Sequence, residues 1–187
     1  MNDKLDSAPN FKRARFEGEI LTVSKDEEIA TALSRLLGKP IIGFDTETKP
    51  SFKKGEFYHV SLLQLASDDC AILFRLHHLK DFTLIKSMFE DESIIKAGVA
   101  IRDDIKGLQK IFDFAPKSFI ELSDMARDKK LKNFGLKGMT EEVLNLTLSK
   151  RAKLSNWEAS DLKLDQLHYA ATDAWIGREL YLALIKS

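Results

Sequence analysis

Four short stretches in the first half of the chain have hydrophobic patterns typical of β-strands, and the first of them alternates hydrophobic and polar residues. The four stretches are residues 18–24, 40–46, 58–66 and 70–76. Between the first two, residues 25–37 repeat apolar side chains every three or four positions, which predicts a helix. The connections between the last three strands are short, so we expect them to form an antiparallel meander.

The second half of the chain is richer in helical periods. We predict a strand at residues 94–99, a further element at 119–127, and helices at 82–89, 103–112, 137–144 and 164–185. This order predicts an α/β fold, with a mixed β-sheet flanked by helices. No repeat or linker divides residues 17–187, which are predicted to be a single domain. Residues 1–16 are predicted to be a flexible N-terminal arm.

Composition narrows the class of protein only slightly. Of the 187 residues, 44% are hydrophobic, and 29 basic side chains balance 29 acidic ones. A dedicated nucleic-acid binder is often strongly basic, so the balance argues weakly against that role. We find no apolar run of membrane-spanning length and no signal peptide, and Cys70 is the single cysteine. We therefore expect a cytoplasmic protein with no membrane partner.

Two carboxylates stand one residue apart at the end of the second predicted strand. Residues i and i+2 of a strand point to the same face, so Asp45 and Glu47 should project together. Ile41 and Ile42 anchor this strand in the core, which keeps the two charges partly buried. Their repulsion costs stability unless a cation neutralises it. A hard divalent cation such as Mg²⁺ or Mn²⁺ prefers oxygen ligands and is the obvious candidate.

A third acid is expected after the strand at residues 94–99. Asp104 shares a helical stripe with Ile105 and Leu108 and should face inward, whereas Asp103 should face solvent. Asp104 is therefore the better candidate ligand. An alternative is that both are ordinary acids of a helical first turn, which the helix dipole favours.

A fourth acid and a phenol lie on the last predicted helix. Tyr169 and Asp173 are four residues apart and should share one face, while His168 is turned about 100° away from that face. Tyr169 could therefore hold its hydroxyl beside whatever Asp173 binds. Taken alone, the pair could be a buried tyrosine and a surface aspartate. The order of the three motifs makes a shared site the better interpretation.

These motifs resemble the DEDD 3′–5′ exonucleases, which are named for four acids. The resemblance is carried by Phe44–Thr48, Lys96–Asp104 and Tyr169–Asp173, and it extends over residues 19–186. It implies a ribonuclease H-like fold and an enzyme that removes 5′-mononucleotides from nucleic acid. The Tyr-Ala-Ala-Thr-Asp sequence is similar to the tyrosine subgroup, in which Tyr169 would orient the attacking water.

The resemblance also implies two divalent cations, Mg²⁺ or Mn²⁺. Asp45, Glu47 and Asp173 would hold one, and Asp45 and Asp104 would contact the other, with Glu47 also meeting the terminal 3′-hydroxyl. The implied partner is a single-stranded 3′ end of DNA or RNA. Lys150 and Arg151 are candidate phosphate contacts, although such a basic run is as often a solvated loop.

Two alternatives remain at the level of sequence. The chain could be a catalytically inactive nucleic-acid-binding module of the same fold, although such a module would have no reason to keep four repelling carboxylates. Less favoured is a haloacid-dehalogenase-type phosphatase, which begins with Asp-x-Asp-x-Thr on a strand end. Here the second acid is Glu47, and the Tyr169–Asp173 pair has no role in that chemistry.

Overall fold

A six-stranded sheet forms the centre of the computed structural model, which describes residues 10–149 and 154–186. The strands of the described chain are β1 (Lys12–Arg13), β2 (Glu19–Val23), β3 (Ile41–Thr48), β4 (Val60–Ala66), β5 (Cys70–Arg75), β6 (Ile95–Gly98), β7 (Phe119–Glu121) and β8 (Leu146–Thr147). The order across the central sheet is β2-β5-β4-β3-β6-β7. β1 and β8 pair separately in a two-stranded sheet.

The directions of the strands confirm the predicted mixed sheet. β3, β4 and β5 form the expected antiparallel meander. β2 runs parallel to β5 on one side, while β6 and β7 extend the sheet in parallel from β3 on the other. The strand that carries the first two acids is therefore a central strand. Its end lies at the same sheet edge as the end of β6, where the next helix begins.

Helices cover both faces of this sheet. They are α1 (Asp26–Ser34), α2 (Thr83–Glu90), α3 (Ile101–Gln109), α4 (Leu122–Asp128), α5 (Leu136–Leu144) and α6 (Leu164–Leu184). One core contains residues of α1, α2 and α3 together with Phe44 of β3. A second contains residues of α4, α5 and α6 together with Ala97 of β6. Among residues 10–149 and 154–186, no helix combines the length and apolar character needed to cross a membrane.

Two small residues bring α6 unusually close to the sheet. A Cβ on Gly43 would lie 1.7 Å from the carbonyl oxygen of Ala174, and one on Gly177 would lie 2.7 Å from that of Ala97. Only glycine allows this approach of helix backbone to strand backbone. Since Asp173 precedes Ala174 and Asp45 follows Gly43 by two positions, the contact sets the distance between those two acids.

The prediction of a flexible arm through residue 16 is wrong for the part that the structure describes. Lys12 and Arg13 pair with β8, and Phe16 is buried against Trp175 of α6. The backbone N–H of Phe16 also donates to Thr172 Oγ1 at 3.0 Å. Burial of an aromatic ring and a hydrogen bond to α6 fix this segment in place. Residues 1–9 lie outside the described residues.

Candidate active site

Three carboxylates meet where the end of β3 passes under α6. Asp45 and Glu47 share the face of β3 that carries Gly43, and Asp173 approaches that face from the helix. One oxygen from each of the three lies within 4.8 Å of the others. This is the spacing at which three carboxylates can share one cation. The structure thus brings together three of the four predicted acids through the alternation of β3 and the close packing of α6.

Asp104 approaches from the opposite face of the sheet. It lies in the first turn of α3, which packs on the face that carries Phe44 and Thr46. Thr46 Oγ1 donates a hydrogen bond to Asp104 Oδ1 at 2.5 Å. The neighbouring Asp103 points to solvent with its side chain 94% exposed. Asp104 therefore faces inward and Asp103 faces solvent, as the helical period predicts.

Glu121 holds the start of α3 in position. Its two carboxylate oxygens accept hydrogen bonds from the backbone N–H groups of Ala100 and Ile101, both at 2.8 Å. Ala100 has φ of 60°, a left-handed conformation that costs energy in a residue with a Cβ. The two charge-assisted hydrogen bonds offset that cost and satisfy free N–H groups of the helix. Glu121 therefore fixes the turn that delivers Asp104.

The site is poorly suited to carry its charges without a counterion. Burial raises the pKa of Asp45 well above its usual value, and the negative charges of Asp173 and Asp104 raise it further. Burial also raises the pKa of Asp104, although the hydrogen bond from Thr46 opposes that shift. A divalent cation offsets both the cost of burying these charges and their mutual repulsion, and oxygen atoms such as those of carboxylates are its preferred ligands. The donor set therefore fits a hard cation such as Mg²⁺ or Mn²⁺.

Tyr169 lies beside these acids. Burial raises the pKa of the Tyr169 hydroxyl, and the charges of Asp173 and Glu47 together with a hydrogen bond to Asp173 raise it further. The phenol is therefore protonated at neutral pH and can donate a hydrogen bond. Its ring lies near the buried Trp157, with ring centroids 6.1 Å apart. His168 instead contacts the guanidinium of Arg15, with its Nε2 2.8 Å from Arg15 Nη2.

A cavity of about 630 Å³ opens beside Tyr169 and Asp173. That volume lies in the range of sites for small organic ligands. Its lining also includes Arg13 and Arg15 from the N-terminal segment and Asn156 from the segment before α6. The predicted phosphate contacts Lys150 and Arg151 lie outside the described residues.

Sequence reasoning missed three residues of this neighbourhood. Thr46 stands between the two acids of β3, and Glu121 ends β7 just before α4. The third is Gln64, which pairs with Asp45 across β3 and β4. Gln64 is fully buried, and among the described residues its amide has no hydrogen-bond partner. A buried glutamine in an apolar strand was the available signal for this last residue.

Comparison with known proteins identifies the family. A family model described as a 3′–5′ exonuclease matches residues 20–187. The chain is 36% identical over 156 residues to the mouse bifunctional 3′–5′ exonuclease/ATP-dependent helicase WRN, covering 80% of this chain and 11% of that protein. It is 33% identical over 194 residues to an Arabidopsis thaliana 3′–5′ exonuclease, covering 95% of this chain and 67% of that protein.

A solved structure agrees with this assignment. The Nibbler EXO domain of Aedes aegypti superposes with a TM-score of 0.80 at 26% identity, covering 91% of this chain and 88% of that one. The predicted ribonuclease H-like fold is therefore confirmed. None of these findings supports the phosphatase alternative.

Proposed function

Since this chain belongs to the DEDD family of 3′–5′ exonucleases, we propose that it hydrolyses phosphodiester bonds from the 3′ end of a nucleic acid strand. The observation that carries the proposal is the convergence of Asp45, Glu47 and Asp173 within 4.8 Å. Three partly buried carboxylates at this distance destabilise the chain unless they bind a cation, and a cation site is what metal-assisted phosphodiester hydrolysis uses. The exonuclease domain would comprise residues 17–187.

The proposed cofactors are two divalent cations, Mg²⁺ or Mn²⁺. Asp45, Glu47 and Asp173 would hold one of them, and Asp45 and Asp104 would contact the other. When bound, such cations neutralise charge on the scissile phosphate and favour ionisation of the attacking water. Thr46 and Glu121 support this arrangement without binding a cation themselves. Thr46 holds the Asp104 side chain, and Glu121 holds the start of α3, the helix that carries Asp104.

Tyr169 would orient the attacking water. Its raised pKa keeps the phenol protonated, so the hydroxyl can donate to one group while its oxygen accepts a hydrogen bond from the water. The water proton would pass to solvent or to a neighbouring carboxylate. Glu47 would also accept a hydrogen bond from the terminal 3′-hydroxyl of the strand, which restricts cleavage to that end. The released product would be a 5′-mononucleotide.

The proposed substrate is the single-stranded 3′ end of DNA or RNA. The cavity beside Tyr169 and Asp173 is large enough for a nucleotide, and Arg13 and Arg15 on its wall can contact phosphates. Lys150 and Arg151 are proposed as further phosphate contacts. Such contacts read no sequence, so we expect cleavage of strands of any base composition.

Digestion of a 5′-labelled single strand tests the proposal. With Mn²⁺ or Mg²⁺, the protein should yield a ladder that shortens from the 3′ end. The Asp45→Ala variant should yield none. Asp103→Ala is the matched control and should cleave normally, because the Asp103 side chain is 94% exposed and points away from the site. Absence of a ladder on both DNA and RNA with either cation would contradict the proposal and favour an inactive binding module.

A further inference from the structure

The loop between β3 and β4 carries two phenylalanines whose side chains are largely exposed to solvent. This β3–β4 loop comprises residues 49–59. Phe52 is 79% exposed and Phe57 is 91% exposed. Isolated exposed apolar residues are common, but here one short loop carries two exposed aromatic rings. Because the rings are so exposed, they contribute little to the stability of the fold.

The tip of the loop is an ordered turn. Gly55 has φ of +87°, and the backbone N–H of Glu56 donates to the carbonyl of Lys53 at 3.2 Å. Ser51 Oγ donates to the same carbonyl at 3.1 Å. Lys53 and Lys54 occupy this turn with exposed side chains. In the part of the chain that the structure describes, neither lysine forms an ion pair. The two rings therefore flank two available positive charges.

The base of the loop is anchored to the protein. Lys49 Nζ lies 3.5 Å from Glu158 and 4.5 Å from the centroid of the Tyr58 ring. The backbone N–H of Lys49 donates to Ser61 Oγ at 3.2 Å. Lys49 therefore contacts other side chains of the protein, whereas Lys53 and Lys54 at the tip form no ion pair among the described residues. The anchor holds the tip at a limited distance from the strands on either side.

The short chain segments between the two phenylalanines and the strands keep the loop near the carboxylate site. Phe52 follows Glu47 by five residues, and Phe57 precedes Leu62 by five residues. Leu62 is the partner of Glu47 across β3 and β4. Five residues span at most about 18 Å even when fully extended. Both rings therefore lie within a few nucleotide lengths of the acids that would bind the 3′ end.

We propose that the β3–β4 loop is a base-stacking platform for the strand whose 3′ end occupies the carboxylate site. The inference rests on the proposed function and adds a substrate surface that the four acids do not supply. Phe52 and Phe57 stack against bases, while Lys53 and Lys54 contact the phosphates between them. Aromatic rings combined with basic side chains are the usual means of binding single strands without sequence preference. A paired duplex does not offer such base faces, so the platform favours single strands.

Binding by metal-free protein tests the platform without requiring catalysis. Two unlabelled 12-nucleotide competitors are compared in EDTA, one with normal bases and one with the same backbone but no bases. Wild-type protein should bind the base-bearing strand about tenfold or more tightly than the abasic one. The Phe52→Ser/Phe57→Ser double variant should lose most of this difference. The Phe52→Trp/Phe57→Trp variant should keep it, because tryptophan also stacks.

Two control variants separate stacking from general effects. Leu37→Ser removes a side chain that is also 77% exposed but precedes β3, at the opposite end of a strand about 25 Å long, and it should bind like the wild type. Lys53→Gln/Lys54→Gln should weaken both competitors equally and lower the slope of log affinity against log salt by about 1.4. Lys110→Gln, an exposed lysine at the end of α3, should leave that slope unchanged.

The outcomes distinguish this proposal from the proposed function. Equal affinities of the wild type and the double serine variant, including no binding by either, would overturn the platform while a cleavage ladder would leave the exonuclease proposal standing. If the wild type cleaves nothing but the double serine variant loses the base-dependent binding, the result supports the platform and contradicts the exonuclease proposal. Sedimentation tests a further outcome. If the wild type self-associates and the double serine variant does not, while both show the same base-dependent binding, the loop is a protein contact and the proposal fails.

Discussion

Thr46 donates a hydrogen bond to Asp104 at 2.5 Å, which joins the strand that carries the first two acids to the helix that carries the third. Asp45 and Glu47 project from one face of β3, and Thr46 between them projects from the other. These three consecutive residues therefore supply candidate cation ligands on one face of β3 and a hydrogen bond to Asp104 on the other. The contact explains how α3, which packs on the far face, can add an acid to this site.

Removal of that contact should weaken cation binding more than it weakens the fold. We expect Thr46→Val to lower the apparent Mn²⁺ affinity by about tenfold or more, as is typical when a support of a metal ligand is lost. The free energy of unfolding should fall by only about 1 kcal/mol. The Mn²⁺ dependence of the cleavage rate measures the first effect. Thr46→Ser keeps the hydroxyl and should behave like the wild type, and equal loss in both variants would contradict this role.

Neutralisation of Asp45 should stabilise the metal-free chain. Its raised pKa means that the folded state resists its ionisation, so the stability contributed by the protonated group is lost as pH rises through the folded pKa. At neutral pH in EDTA, Asp45→Asn should raise the free energy of unfolding by about 1 kcal/mol, since a tenfold change in a protonation equilibrium corresponds to about 1.4 kcal/mol.

The same variant should respond differently to added cation. Mn²⁺ at 100 times its dissociation constant should stabilise the wild type by about 2.7 kcal/mol, and Asp45→Asn should lose most of that gain. Thermal unfolding with and without Mn²⁺ measures both effects. A variant that is less stable than the wild type in EDTA would indicate that the carboxylate supports the fold instead of a cation.

Tyr169 and His168 are adjacent, but only the tyrosine lies at the acids. We expect Tyr169→Phe to lower the cleavage rate by about 100-fold, within the usual range for a group that assists proton transfer. His168→Ala should have a much smaller effect, because His168 contacts Arg15 on the cavity wall. Single-turnover rates at saturating Mn²⁺ make the comparison. A greater loss in His168→Ala would assign the water-orienting role to histidine.

The acids themselves could be found from the sequence because their positions follow from local geometry. Alternation in β3 places Asp45 and Glu47 on one face, and the helical period separates Asp104 from Asp103 and aligns Tyr169 with Asp173. These periods hold whatever the rest of the chain does. Most strands of the central sheet were predictable for a similar reason, since their hydrophobic residues follow clear patterns.

The supports of the site depend on tertiary contacts that no local pattern encodes. Glu121 caps α3 from a strand that begins some ten residues after the helix ends, and its role appears only when β6 and β7 are paired. The predicted element at residues 119–127 divides into a strand and a helix at this residue. β1 and β8 have two residues each, too few to show any period. The prediction of a flexible arm through residue 16 missed β1 because so short a strand has no recognisable pattern.

The buried Lys96 should make stability depend on alkaline pH. Its ammonium donates to the carbonyls of Met88 and Asp91 at the end of α2, and burial lowers its pKa to about 8. Between pH 8 and 10.5 the unfolded chain binds more protons than the folded one, so this group adds stability as pH rises through that range.

Comparison with an apolar variant isolates this effect. From pH 7.5 to 9.5, the stability of the wild type relative to Lys96→Met should increase by about 1–2 kcal/mol. Urea unfolding at the two pH values measures the difference. Parallel pH profiles for the two proteins would show that the Lys96 pKa is not lowered in the folded state.

The identity of the first product tests the central claim most directly. The substrate is a single strand whose 3′-terminal residue carries a base found nowhere else in it, and the reaction with Mn²⁺ is stopped before one turnover per strand. Mass analysis should find the 5′-monophosphate of that terminal nucleoside and a strand one residue shorter that ends in a 3′-hydroxyl. Nucleoside 3′-phosphates, internal fragments or free phosphate as first products would contradict hydrolysis from the 3′ end at the carboxylate site.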